Sequence, residues 1–508
     1  MLAPLKDQHV LILGLGISGL AMARWCVRGG AQVTVADTRD NPPQLESLRS
    51  DVPHARFVSG ALDASLLDNA GFTSVFKSPG LMPASIAPVS GAAQACSIRV
   101  RGELDLFSQA LTELKATRGY APAVLAVTGT NGKTTVTSLT GQLVERAGKK
   151  VAVAGNIGSA LLDTLAQHLD ADTLPDVWVI ELSSFQLDGV DGFEPTAATV
   201  LNITQDHLDW HGSLQAYVQA KARVFGPSAL MLLNREDPLV MAMLPAVPTL
   251  GRVKDRVPQR EYVTFGGDMP QRPGDFGIEE VNGMVWLVRA MDADDTRRRR
   301  NEAVEELHIQ RLMPADALRI RGRHNAVNAL AALALAASAG CSLAPILFGL
   351  REYRGEPHRV EPVGILNEVE YFDDSKGTNV GATVAALNGL GAERKVIVIL
   401  GGDGKGQDFS PLVAPVARFA RAAILIGRDA PQIRAVLEAT GVPLIDASTM
   451  PQAVEMAGAQ ARPGDAVLMS PACASFDMFD NYPHRAAVFR AAVASMAHAA
   501  GIELEGVA

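Results

Sequence analysis

The run Gly129-Thr130-Asn131-Gly132-Lys133-Thr134-Thr135, directly after the apolar stretch Ala123-Val124-Leu125-Ala126-Val127, restricts the fold more than any other part of the chain. A buried strand that feeds a glycine turn and then a helix is half of a βαβ unit, which requires a parallel sheet with helices on its faces. The helix-like stretch Val136 to Arg146 supplies that helix. Glycines let backbone N–H groups approach phosphate oxygens, a lysine such as Lys133 adds a compact positive charge, and the Thr134 hydroxyl suits a bound Mg²⁺. The loop departs from the common GxxxxGK[ST] spacing, because Val127 stands where the first glycine would be. ATP is the expected ligand.

With 508 residues, the chain has room for about three domains. A net charge of -9 argues against a nucleic-acid partner, since such proteins concentrate positive charge on one face. Cys26, Cys96, Cys341 and Cys473 are far apart and fit neither a zinc site nor a disulfide framework, which points to a reducing cytoplasm. The longest alanine- and leucine-rich stretch, Ala326 to Ala339, is too short to span a bilayer, so no membrane insertion is expected.

The fold class predicted is α/β in three domains. A Rossmann-like domain over 1–110 opens with the strand His9–Leu13, the turn Gly14-Leu15-Gly16-Ile17-Ser18-Gly19 and a second strand ending at Asp37. Another short strand ends at the turn Ser78-Pro79-Gly80. The glycines indicate fold and leave the ligand open. A central, mostly parallel, P-loop ATPase-like domain over 111–355 follows, interrupted at 252–319 by turns and a charged stretch with Arg297 to Arg300, read as a solvated excursion. A C-terminal Rossmann-like domain over 356–508 has strands at Val396–Leu400, Ala422–Ile426 and Ala466–Met469.

Within the central domain, Glu181 ends a strand and could hold Mg²⁺ if that strand neighbours the one before the phosphate loop. Asn202 to Asp209 follow the next strand, and Lys221 falls in a helix-like stretch beginning near Leu214. Taken singly, these residues have plain alternatives: Asp206 as a helix cap, His207 as a satisfied histidine, and Lys221 as a solvated helix lysine.

Taken together, Gly129–Thr135, Glu181-Leu182-Ser183-Ser184-Phe185-Gln186, Asn202 to His207 and His324-Asn325 with Asn328 resemble the Mur ligase family, the ATP-dependent amide-forming enzymes of peptidoglycan precursor synthesis. Gly14 to Leu20, Asp37-Thr38-Arg39, Asp373 to Asn379, Gly401 to Lys405 and Ser470 to Phe476 are similar to its D-glutamate-adding branch. No Asp-Asn-Pro-Arg motif of the diaminopimelate- or lysine-adding type is present, and the glycine-rich start argues against a folate-type ligase. A regulatory protein that keeps the fold without chemistry would not need Glu181, His207 and Lys221 together.

The resemblance implies UDP-N-acetylmuramoyl-L-alanine and D-glutamate as substrates, joined through an acyl phosphate by a cytoplasmic enzyme, expected to be a monomer. Ile17, Ser18, Asp37, Thr38, Arg39 and Gly80 would then contact the uridine nucleotide, with Asn156 near the UDP-sugar. Gly129 to Thr135 would hold the ATP phosphates, and Asn325, Asn328, Arg359 and Asp374 would also touch ATP. The resemblance further implies two Mg²⁺ ions served by Thr134, Glu181, His207 and a carbamylated Lys221, with Lys133, Glu181, His207 and Lys221 as the catalytic set. Lys376, Thr378, Lys405, Ser475, Phe476 and Tyr482 would receive D-glutamate. Phe476 and Tyr482 stand where leucine and phenylalanine occur in some relatives, which would reshape that pocket slightly.

Overall fold

Valine- and isoleucine-rich runs buried on both faces build three separate sheets, each with helices packed against it. The computed structural model describes residues 5–68, 70–245, 260–292, 307–392 and 394–502. Arg297 to Arg300 lie outside these.

The first sheet contains β1 (His9–Leu13), β2 (Gln32–Asp37), β3 (Arg56–Ser59), β4 (Ser74–Lys77) and β5 (Val100–Arg101). All its pairs are parallel, in the order β3-β2-β1-β4-β5. The order reverses between β1 and β4, and in open parallel sheets the crevice at the carboxyl ends of such strands collects the ligand. Gly14 and the Ser78 to Gly80 turn sit at those two ends, tied by the Ser78 hydroxyl donating to the Gly14 carbonyl at 2.8 Å. Strands β3 and β5 carry too few apolar residues to announce themselves in the sequence.

The second sheet contains β6 (Ala123–Thr128), β7 (Val151–Gly155), β8 (Val177–Glu181), β9 (Ala197–Val200), β10 (Leu230–Asn234), β11 (Tyr262–Phe265), β12 (Phe276–Val281), β13 (Met284–Asp292) and β14 (Leu307–Pro314). Its order is β14-β13-β12-β11-β10-β9-β6-β8-β7. The strands from β7 across to β12 run parallel, while β12, β13 and β14 form an antiparallel ribbon. The interruption at 252–319 thus supplies β11 to β14 of this same sheet. Helices Lys133–Arg146, Arg323–Ser338 and Leu343–Glu352 cover one face of this sheet. The alanines of Arg323–Ser338 let that helix lie close enough for Ala329 to Leu333 to be wholly buried.

The other face packs towards the first sheet. Helix Glu103–Arg118 runs across the expected division at residue 110, and its Leu104, Phe107 and Leu114 join one core with Leu161 and Trp178 of the central part. Arg24 to Asp163 at 2.9 Å and Lys77 to Asp188 at 3.1 Å add ion pairs between the two parts.

The third sheet contains β15 (Glu361–Leu366), β16 (Val369–Asp373), β17 (Val396–Gly401), β18 (Ala420–Ile426), β19 (Leu444–Asp446) and β20 (Ala466–Met469), in the order β15-β16-β20-β17-β18-β19. Only the edge pair β15–β16 is antiparallel.

Candidate active site

The central strand order places the expected residues. β6 lies between β9 and β8, with Val127 paired to Glu181 and Thr128 to Val200. The phosphate loop after β6 is thus flanked by the Glu181 carboxylate on one side and by Asn202, just past β9, on the other. Asn202 holds the loop through reciprocal bonds: its Oδ1 accepts from the Asn131 N–H at 2.8 Å, and its Nδ2 donates to the Asn131 carbonyl at 3.1 Å. Gly132 caps the following helix at φ 82°, and a Cβ there would lie 2.8 Å from Asn328 Oδ1. Both the backbone angle and the space require glycine.

Two lysines turn onto this loop. Lys133 Nζ donates to the carbonyls of Gly129 at 3.0 Å and Thr130 at 2.8 Å. Lys221 Nζ, only 1% exposed, donates to the same Gly129 carbonyl at 2.8 Å and to Thr128 Oγ1 at 3.3 Å. Lys221 is therefore not a solvated helix lysine. Burial lowers the pKa of both, most strongly for Lys221, where the Lys133 charge adds to the effect.

Glu181 is 1% exposed. Its Oε1 accepts from Asn156 Nδ2 at 2.8 Å, and its Oε2 is buried without a partner. An unpartnered buried carboxylate oxygen is costly unless a cation or donor meets it, and Mg²⁺ prefers oxygen ligands, so Glu181 fits that ion. His207 has φ 53° and caps a short helix, the place considered for Asp206. Its ring packs edge-on to Phe185 with centroids 4.7 Å apart. Burial, then the charges of Lys133, Lys221 and Lys405, lower its pKa against the opposing pull of Asp206, leaving a neutral imidazole suited to a metal.

Facing the loop is the third sheet. Arg359 donates to Thr134 Oγ1 at 2.6 Å, and Asn379 exchanges amide hydrogen bonds with Asn131 at 3.1 and 3.3 Å. Between the sheets is a cavity of about 120 Å³ lined by Asn131, Asn325, Asn328, Arg359, Asp374 and Lys376, among others. Asp374 Oδ2 accepts from Ser470 Oγ at 2.6 Å, and burial pushes its pKa up to about 7. The fold thus favours the protonated carboxyl. That stabilisation is complete below the ordinary carboxylate range and is lost as pH rises through about 7. Replacing Asp374 with asparagine should flatten the fall in melting temperature over this window; an unchanged pH profile of melting would contradict the assignment.

Lys376 Nζ lies 4.1 Å from the Tyr482 ring centroid, and burial with the Arg359 charge lowers its pKa to about 8. Thr378 follows it in the same turn, where its N–H donates to the Lys376 carbonyl at 2.8 Å. Ser475 is buried, whereas Lys405 and Phe476 are exposed, Phe476 by 68%. The first-sheet residues form a separate group at the ends of β1, β2 and β4. Asp37 accepts from the Leu15 N–H at 2.7 Å and from Arg39 at 2.8 Å, and is held at a pKa of about 2 by Arg39. Ile17, Thr38, Arg39 and Gly80 are exposed around it, and Ser18 bonds Glu103.

Residues 8–102 match the Mur ligase MurD-like N-terminal domain, residues 127–250 the Mur ligase middle domain, and residues 358–473 the Mur ligase glutamate ligase domain. The chain is 71% identical over 505 residues to UDP-N-acetylmuramoylalanine--D-glutamate ligase of Albidiferax ferrireducens, covering 99% of each chain. It belongs to the Mur ligase family. An enzyme of the same name from a Polaromonas species is 58% identical, covering 98% of this chain and all of the relative. Among solved structures, Thermotoga maritima MurF ligase in complex with ADP has a TM-score of 0.55 at 14% identity, covering 97% of this chain and 96% of that one. UDP-N-acetylmuramate-alanine ligase MurC of the same organism gives 0.53 at 19%, covering 96% and 100%. At these identities, the two structures show the shared Mur ligase fold.

Several residues of this Mur ligase site escape the sequence pattern. Asn202 and Asn379 were visible only as members of longer strings, yet both clasp Asn131. Tyr217 bonds Thr130 Oγ1 at 3.0 Å, and its ring lies 4.7 Å from Lys221 Nζ. Its helical position gave no signal. Arg485, 1% exposed, ties the Cys473 and Ser375 carbonyls at 3.1 and 2.8 Å.

Proposed function

We propose that this Mur ligase joins D-glutamate to UDP-N-acetylmuramoyl-L-alanine at the expense of ATP, through an acyl phosphate, in peptidoglycan precursor synthesis. The observation that carries the reading is the 71% identity, over 99% of both chains, to an enzyme of that name. The phosphate loop and the facing third sheet supply a geometry suited to that chemistry.

A carboxylate is a poor electrophile. In the first step, an oxygen of the L-alanine carboxylate bonds to the γ-phosphorus of ATP as the bond to the bridging oxygen breaks, releasing ADP. In the second, the D-glutamate amine forms the amide bond to the carbonyl carbon, phosphate leaves, and the amine proton is lost. Lys133 Nζ would exchange its two carbonyl acceptors for the more strongly accepting phosphate oxygens. Mg²⁺ supplies charge neutralisation and polarises the phosphoryl group when bound. Thr134, Glu181, His207 and Lys221 would hold two such ions. Asn325, Asn328, Arg359 and Asp374 would position the nucleotide in the cavity they line. Lys376, Thr378, Lys405, Ser475, Phe476 and Tyr482 would receive D-glutamate. The first sheet would hold the uridine nucleotide through Ile17, Ser18, Asp37, Thr38, Arg39 and Gly80, with Asn156 towards the sugar.

For Lys221, the buried amine with a strongly lowered pKa is the form that adds CO₂: the nitrogen bonds to carbon and a proton leaves, giving a carbamate anion. This turns a cation that would repel Mg²⁺ into an oxygen donor beside Lys133. A cytoplasmic monomer is the reading the family resemblance supports. No described helix is long and apolar enough to cross a membrane. With ¹⁸O in the L-alanine carboxylate, one label should appear in the released phosphate. Unlabelled phosphate would refute the acyl-phosphate route.

A further inference from the structure

A basic cleft lies where the central part of the chain passes into the third sheet, beside the nucleotide cavity. Arg319 and Arg354 line a cavity of about 640 Å³ together with Arg146, Glu145 and Glu352. They also line an adjoining cavity of about 250 Å³ with Arg321 and Arg359. Most carboxylates there are already engaged. Glu352 pairs with Arg146 at 2.6 Å, Glu356 accepts from the Tyr353 hydroxyl at 2.7 Å, and Glu361 accepts from the His358 N–H at 2.8 Å and pairs with Arg490. Among the described residues, Glu145 alone of these acids has no such partner.

The arginines are exposed and are the side of this balance without carboxylate partners among the described residues. Arg319 donates from Nε to the Arg351 carbonyl at 3.1 Å, and among the described residues the guanidinium groups of Arg321 and Arg354 meet no carboxylate. Guanidinium forks around one hollow repel one another and match the paired oxygens of a phosphate. A protein with a net charge of -9 that keeps such a local surplus of cations has a place for an anion.

We propose that Arg319, Arg321 and Arg354 form a second anion site, distinct from the phosphate loop, for a phosphate-class oxyanion: free phosphate or pyrophosphate, or the phosphates of a second nucleotide. Arg319 and Arg321 precede helix Arg323–Ser338, while Arg354 precedes Gly355, through which the chain enters the third sheet. The site thus spans the joint between the two parts. Its smaller cavity shares Asn325, Glu356 and Arg359 with the nucleotide cavity. Occupancy biases the joint, and with it nucleotide binding, by the difference in anion affinity between the arrangements the joint adopts.

Calorimetric titration of the full chain, with the phosphate loop saturated by Mg-ADP, tests this. Pyrophosphate should bind the wild type and bind the triple variant R319Q/R321Q/R354Q at least about tenfold more weakly, while basal ADP release and melting temperature without anion are retained. Further ADP separates the sources: an additional equivalent bound by the wild type and lost in the variant assigns a nucleotide, and its absence assigns the free oxyanion. Should the triple variant melt lower, Arg354→Gln alone, at an exposed residue, makes the same comparison. Equal pyrophosphate affinity in wild type and variant, no binding to the wild type, or equal competition by acetate overturns the site.

Discussion

Lys133→Ala is expected to lose about a thousandfold in ADP release while binding the UDP-linked substrate within about twofold of the wild type. The chemical part follows from Lys133 Nζ lying on the loop itself, 2.8 to 3.0 Å from two loop carbonyls, where phosphate oxygens would draw it away. The binding part follows from distance along the fold. Asp37 ends β2 of a different sheet with Thr38 and Arg39 just beyond it, and the Asp37 carboxylate accepts from Leu15 and Arg39 rather than from the phosphate loop. Calorimetry with the UDP-linked substrate, beside a coupled ADP assay, separates the two. If the substitution abolishes substrate binding, the division of labour between the first and second sheets is wrong.

Lys221→Ala should be nearly as inactive, losing about a hundredfold or more, but for a different reason. Lys221 is 1% exposed and shares the Gly129 carbonyl with Lys133, so two lysine nitrogens compete for one acceptor in a buried place where a second positive charge is disfavoured. A carbamate would remove that conflict and give Mg²⁺ an oxygen ligand. Short carboxylic acids such as formate or acetate should therefore enter the space vacated in Lys221→Ala and restore part of the activity, about tenfold above the unrescued variant. They should do nothing for Lys133→Ala, whose lost group is a cation. Near-normal activity of Lys221→Ala, or equal rescue of both variants, would remove the carbamate role.

The two lysines also show where the sequence stops being informative. Lys133 could be placed because the strand, the glycines and the helix around it are local and dictate one another. Lys221 was reached only through the family resemblance, since a lysine on a helical period is ordinarily solvated, and only the packing of helix Leu214–Ala222 against the end of β6 buries it. The same holds for Glu181. Its strand was legible, but the pairing of Val127 with Glu181 that brings the carboxylate to the loop is a non-local choice of strand order. The edge strands β3, β5, β15 and β19 were missed because short edge strands carry little apolar signal, and β16, paired on both sides, was missed with its hairpin partner. Asn379 and Arg359 reach the loop from more than 200 residues away, a contact that no spacing rule encodes.

The most direct measurement is ADP release with UDP-N-acetylmuramoyl-L-alanine and a panel of amino acids offered one at a time. Release should require the UDP-linked substrate and D-glutamate together, with L-glutamate, L-alanine and meso-diaminopimelate near background, and a product heavier by one glutamyl residue. Equal turnover with any of those three, or release without the UDP-linked substrate, would contradict the account.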